Sequence, residues 1–178
     1  MSAKKLALCG VFICFAAALS ALETMLPPIC PIPAVRVGLG NTVTMFILYL
    51  GGKWRVRDAL CIAVLRCGVA GLITGSVMSM AFGAVGGTLA LFSMAAAKRL
   101  FPKEKSEAFL PFVGVAGAVL HIAGQLLTAA FFYGSLSVFA YAPILLSSAI
   151  IGGVFTGLCT MLLLKKLSAK VLDTVRNI

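Results

Sequence analysis

Long apolar runs, broken by lysine and arginine clusters that fall in every second gap, constrain this chain more than any other feature. The runs are 6–26, 39–50, 59–73, 80–97, 108–133 and 138–164. A helix needs about 20 apolar residues to cross a hydrocarbon core of about 30 Å, so six such runs use up most of the 178 residues. With 61% hydrophobic and 11% charged residues, a water-soluble domain of this size is excluded. The expected fold is an all-α membrane protein: a six-transmembrane-helix bundle forming one integral membrane domain over 1–178. No separate soluble catalytic domain fits. The second and third runs are short for a bilayer, so each must tilt, extend into its loop, or lie buried against other helices.

A formal charge of +10 would suggest nucleic acid in a soluble protein, but here the positions of the charges exclude it. Short cytoplasmic loops retain Lys and Arg, whereas translocated ones rarely do. With the N-terminus inside, all fifteen Lys and Arg except Arg36 and Arg66 fall on inner segments. Both termini are therefore expected in the cytoplasm, with the chain multi-pass in a bacterial cell membrane. Lys4 and Lys5 before an apolar run resemble a signal peptide, but run 6–26 is too long for a signal core and is read as the first membrane helix. Tyr49 and Trp54 mark an inner boundary, and Phe131, Phe132, Tyr133 and Tyr141 an outer one, where amphipathic rings prefer the headgroup level.

Small residues four apart recur as Ala17/Ala21, Gly71/Gly75, Gly83/Gly87 and Gly153/Gly157, a spacing that lets helices approach closely in lipid. Such pairs serve internal packing or an external docking face. Six cysteines lie scattered in apolar runs without a C-x-x-C pair, and one histidine cannot complete a metal site, so the cysteines read as packing residues and no metal is expected. The loop Pro27-Pro28-Ile29-Cys30-Pro31-Ile32-Pro33 cannot be helical, because its prolines lack the amide donor and force their predecessors to extend.

Ionisable and amide groups inside a membrane cost about 2.5 to 3.5 kcal/mol per central charge on insertion scales, so each one present needs a partner or a purpose. They are Glu23 at the end of the first helix, Arg36 and Asn41 at the start of the second, Arg66 in the third, and His121 with Gln125 in the fifth. An ion pair from Glu23 to Arg36 or Arg66 is expected, either as a register device or as part of a net positive pocket for an electron-rich ligand. His121 and Gln125, four apart, share a helical face and either bind a ligand or join two helices. Enzymatic chemistry is not expected. Of the carboxylates Glu23, Asp58, Glu104, Glu107 and Asp173, none forms a D-D-x-x-D magnesium cluster, and no glycine loop with lysine cradles phosphate.

The residues Glu23, the Pro-rich turn, Arg36 and Gly38-Leu39-x-Asn41, continued by Arg66, His121 and Gln125, resemble the heptaprenyl diphosphate synthase component I-like, or Gx transporter, family. Ala34 stands where that family tends to have Gly, and Ile122 where Asn is common. The family is similar in layout to the substrate-binding S components of energy-coupling factor (ECF) transporters. The resemblance implies capture of a small vitamin-like or isoprenoid-related ligand from outside, with Glu23, Arg36, Asn41, Arg66, His121 and Gln125 as its contacts. It implies ECF transmembrane and ATPase subunits as partners, docked on an A-x-x-x-A face at Ala17 and Ala21. Two other functions fit such a family: a quinone- or flavin-linked membrane subunit of an extracellular electron-transfer system, and an accessory component of a polyprenyl diphosphate synthase.

Overall fold

The computed structural model describes residues 3–24, 38–52, 54–100, 108–167 and 169–178, which fold into helices with no strand among them. The helices are α1 (Ala3–Thr24), α2 (Asn41–Leu50), α3 (Val56–Thr74), α4 (Val77–Leu100), α5 (Leu110–Tyr133), α6 (Ala142–Lys166) and α7 (Ala169–Asn177), with a 3-10 turn at Leu136–Tyr141 before α6. The Pro-rich loop with Cys30 and Arg36, Lys53, and the stretch with Lys103 to Glu107 lie outside the described residues.

Local chemistry sets the helix ends. Gly75, at φ +65°, closes α3 in the left-handed conformation and donates its N–H back to Gly71 and Leu72. Ser76 then caps α4, its Oγ accepting from Ser79 N at 3.2 Å, so α3 and α4 form a tight hairpin. Pro111 and Pro143 sit in the first turns of α5 and α6, where no amide donor is required.

Among the described residues, four stretches are long and apolar enough to cross a membrane: Ala3–Glu23, Val77–Leu100, Leu110–Tyr133 and Leu136–Lys166. Large apolar side chains such as Leu72, Phe131, Leu136 and Ile151 project from the bundle, as a lipid-facing surface requires. α3 has the length, but Arg57, Asp58 and Arg66 make it more polar. α2 differs most from the run 39–50: its ten residues span only about 15 Å at the helical rise, and nearly all of them are buried among α1, α3, α4 and α6. It is an interior half-length helix.

The core has two apolar clusters. One, at the end bearing the Lys and Arg residues, packs α2 with Cys9, Ala16, Trp54, Ile62, Leu91 and Met94. The other gathers Phe82, Ala118, Ile122, Leu126 and Leu145 toward the opposite end. α5 packs most extensively, against α4 and α6. Its crossing with α6 is made of backbone: a methyl on Gly114 would lie 2.1 Å from Gly153 O, and one on Gly157 2.4 Å from Pro111 Cα. The Gly153/Gly157 pair therefore serves internal packing.

At the basic end, Lys5 Nζ meets Asp58 Oδ2 at 2.7 Å with both side chains about nine-tenths buried. Asp58 also accepts from Arg55 N at 2.8 Å, which caps α3, and Lys5 lies 4.9 Å over the Trp54 ring. Trp54 Nε1 donates to Val175 O, and Arg176 Nε to Leu50 O, both at 2.8 Å, which pin α7 across this end. α7 lies within the tail that carries no apolar run, because nine residues with one apolar face are too few to stand out by periodicity. Breaking a buried pair leaves one charge uncompensated, so Asp58→Ala is expected to cost about 3 kcal/mol or more of stability in thermal unfolding. The double variant Lys5→Met/Asp58→Leu should recover most of that loss.

Candidate functional site

Between the two apolar clusters lies a layer of buried polar groups. Arg66 enters it from the middle of α3 and is 3% exposed. Its Nη1 donates to Ser20 Oγ at 2.8 Å and its Nη2 to Asn41 Oδ1 at 2.5 Å, so one guanidinium ties α1, α2 and α3 together. The fixed fork of donors makes this three-way junction possible. Nε of Arg66 has no hydrogen-bond partner among the described residues. From the middle of α5, His121 and Gln125 reach the same layer, with Gln125 Nε2 3.0 Å from His121 Nε2. An amide nitrogen cannot accept, so in this orientation the imidazole accepts at Nε2 and carries its proton on Nδ1, against the Gly86 backbone.

Glu23 makes a different contact from the expected ion pair with Arg66. Its carboxylate accepts from Gly38 N at 2.6 Å and from Leu39 N at 3.0 Å, holding the turn that leads into α2, where a negative charge also suits the positive end of the helix dipole. Arg66 bonds to the neutral oxygens of Ser20 and Asn41 instead. Arg36, the other expected partner, lies outside the described residues.

The glycines of Gly38-Leu39-Gly40-Asn41 explain how α2 comes so close. Gly38, at φ +89°, takes a conformation unfavourable for other residues, and a methyl there would lie 3.0 Å from His121 Nε2. A methyl on Gly40 would lie 2.1 Å from Arg66 Nη1 and 2.5 Å from Ser20 Oγ. Only hydrogen at these two positions lets the guanidinium and the imidazole lie against the backbone.

Glu23, Gly38, Arg66, His121 and Gln125 line one cavity of about 30 Å³, together with Ser20 and the ends of α3 and α4 at Gly71 and Ser79. Asn41 stands behind it, bonded to Arg66. The cavity starts at half depth, midway along α5, and rises toward the end of the bundle away from the basic residues. It has room for one or two water-sized groups. Thus the structure brings together Glu23, Asn41, Arg66, His121 and Gln125. It separates Ala17 and Ala21 from them: Ala17 is 1% exposed and packs inside the bundle, and only Ala21 is partly open. An A-x-x-x-A docking face needs both on the surface, so Ala17 does not present one here.

The close backbone approach that Gly38 and Gly40 allow is legible in the sequence, whereas sequence reasoning missed Ser20. Ser20 stands three residues before Glu23 on the same face of α1, and this spacing was the available signal. Neither a curated protein nor a solved structure matches the chain. The family model described as heptaprenyl diphosphate synthase component I matches residues 12–163, a stretch that holds every residue lining the cavity. On this match the chain belongs to the heptaprenyl diphosphate synthase component I family.

Proposed function

We propose that this chain is the substrate-binding membrane subunit of an uptake transporter, S-component-like, which captures a small vitamin-like or isoprenoid-related molecule from outside. In this reading α1 to α6 make six passes through a bacterial cell membrane, and both termini face the cytoplasm with the basic end. The observation that carries it is the convergence of Arg66, His121, Gln125 and Glu23 on one cavity between two apolar cores. Polar groups at that depth are expensive unless they serve a guest or a pathway. Arg66 Nε and His121 Nδ1, both without a hydrogen-bond partner among the described residues, offer donors, which suits a carboxylate or another electron-rich group.

The chain performs no chemistry of its own in this reading: Asp58 is engaged by Lys5 and Glu23 by backbone amides, so neither is a free acid or base. Energy for uptake then comes from ECF transmembrane and ATPase subunits. Admission of the guest requires the cavity walls to part. Met80 lies against Gly71 at its rim, and an unbranched thioether can rotate aside at small cost. The test is to purify the chain in mild detergent from its native host, extract it, and identify what it carries by mass spectrometry. One small molecule near one per chain is the expected result. A quinone or flavin instead would move the reading to electron transfer, and a chain that carries nothing and takes up nothing with its partners would end it.

A second reading, accessory component of a polyprenyl diphosphate synthase, is favoured by the family's description. It expects a stable complex with a soluble, aspartate-rich partner and no ligand at Arg66.

A further inference from the structure

A second cavity, far larger than the first, opens sideways between α1 and α6. It measures about 520 Å³ and has Leu39 of the turn before α2 and Thr42 of α2 as its floor, Phe15 and Leu19 on one wall, and Phe155 and Leu162 on the other. α1 and α6 scarcely touch along it, because the half-length α2 holds them apart. Phe15 and Phe155 are each more than half exposed, so the groove faces the surroundings of the bundle rather than its interior. Along α6 it runs from Phe155 to Lys166, about 16 Å at the helical rise, and it ends at Lys166, which lines it, with Lys165 the preceding residue of the same last turn.

We infer that this groove is a binding site for one anionic phospholipid of the leaflet at the basic end, with an acyl chain along α6 and its phosphate at Lys165 and Lys166. Length and charge both favour this occupant. A groove of about 16 Å matches one leaflet, half of a hydrocarbon core of about 30 Å, whereas a transmembrane helix of a partner needs the full depth. Its walls are apolar up to the lysines, and basic residues at a groove end between membrane helices select anionic headgroups over neutral ones. Among the described lining residues no carboxylate stands near the lysines to answer their charge. The site is independent of the polar cavity: Gly38 of the turn before α2 lines that cavity, and Leu39 and Thr42 line the groove.

The inference is tested by native mass spectrometry of the chain released from nanodiscs of phosphatidylglycerol and phosphatidylcholine in equal amounts. One phosphatidylglycerol per chain should survive activation that strips phosphatidylcholine. Lys165→Gln/Lys166→Gln should lower that retention at least fivefold, and so should Leu162→Trp, which fills the groove at a half-exposed position and leaves both lysines in place. Cys159→Trp, at the middle of the groove, is the second filling variant. Retention unchanged in the lysine variant overturns the assigned headgroup contact. Retention unchanged in both tryptophan variants overturns the groove as the acyl site, and so does a protein subunit cross-linked to Phe155 in place of lipid. None of these outcomes depends on the ligand at Arg66.

Discussion

Arg66→Gln is expected to lower the small molecule recovered with the purified chain by about 100-fold. Among the described residues, the guanidinium is the one charged donor that both lines the cavity and ties three helices together, through Ser20 and Asn41. A charge-assisted hydrogen bond contributes about 1.5 to 3 kcal/mol, and the variant loses such a bond to the guest together with the junction that positions it. At about 1.4 kcal/mol per factor of ten, a loss of about 3 kcal/mol gives the stated effect. Arg66→Lys separates the two contributions, because an ammonium keeps the charge and cannot bridge Ser20 and Asn41 in a fixed fork. It should fall between wild type and Arg66→Gln. Full recovery of ligand in the glutamine variant, measured by extraction and mass spectrometry, would remove Arg66 from the binding site.

Gly153→Val is expected to have the largest effect on stability, about 3 kcal/mol or more, and to leave little folded chain in detergent. Its new Cβ would stand 2.5 Å from Val115 Cα and 2.8 Å from Gly114 O. These are backbone atoms, so no side chain can rotate away and α6 must move off α5. Overpacking of a core costs about 1 to 3 kcal/mol even where side chains can adjust. The control is Gly10→Ala in α1, where a methyl meets nothing within 4 Å. A glycine inside a helix is about 0.5 to 1 kcal/mol worse than alanine, so that variant should be neutral or slightly more stable. Size-exclusion recovery and thermal unfolding distinguish the two, and equal behaviour would show that the α5–α6 crossing tolerates separation.

What the sequence reveals here follows from what lipid penalises. Arg66, His121, Gln125, Asn41 and Glu23 stand out because each is a polar group in an apolar run, and the structure gathers all five around one cavity. The same logic does not name their partners. Serine is common in membrane helices for several reasons, so only its spacing from Glu23 distinguishes Ser20 before Arg66 is seen against it. Glu23 invites an ion pair on charge alone, and among the described residues it accepts instead from the amides of Gly38 and Leu39. Ala17 and Ala21 have the spacing of a docking face, but spacing does not reveal which side of α1 is covered, and Ala17 is covered. The short run 39–50 announces its own difficulty. That it becomes an enclosed half-length helix depends on how α1, α3, α4 and α6 surround it, which no local pattern encodes.

The neutrality of the oxygens that Arg66 touches has a consequence for the conditions under which it works. Its immediate hydrogen-bond partners leave its unit charge in place, and a side chain 3% exposed lies beyond the reach of dissolved counter-ions. Under the proposed function, attraction to a guest at that depth persists at high ionic strength, where the lysines and arginines of the bundle's basic rim are largely masked.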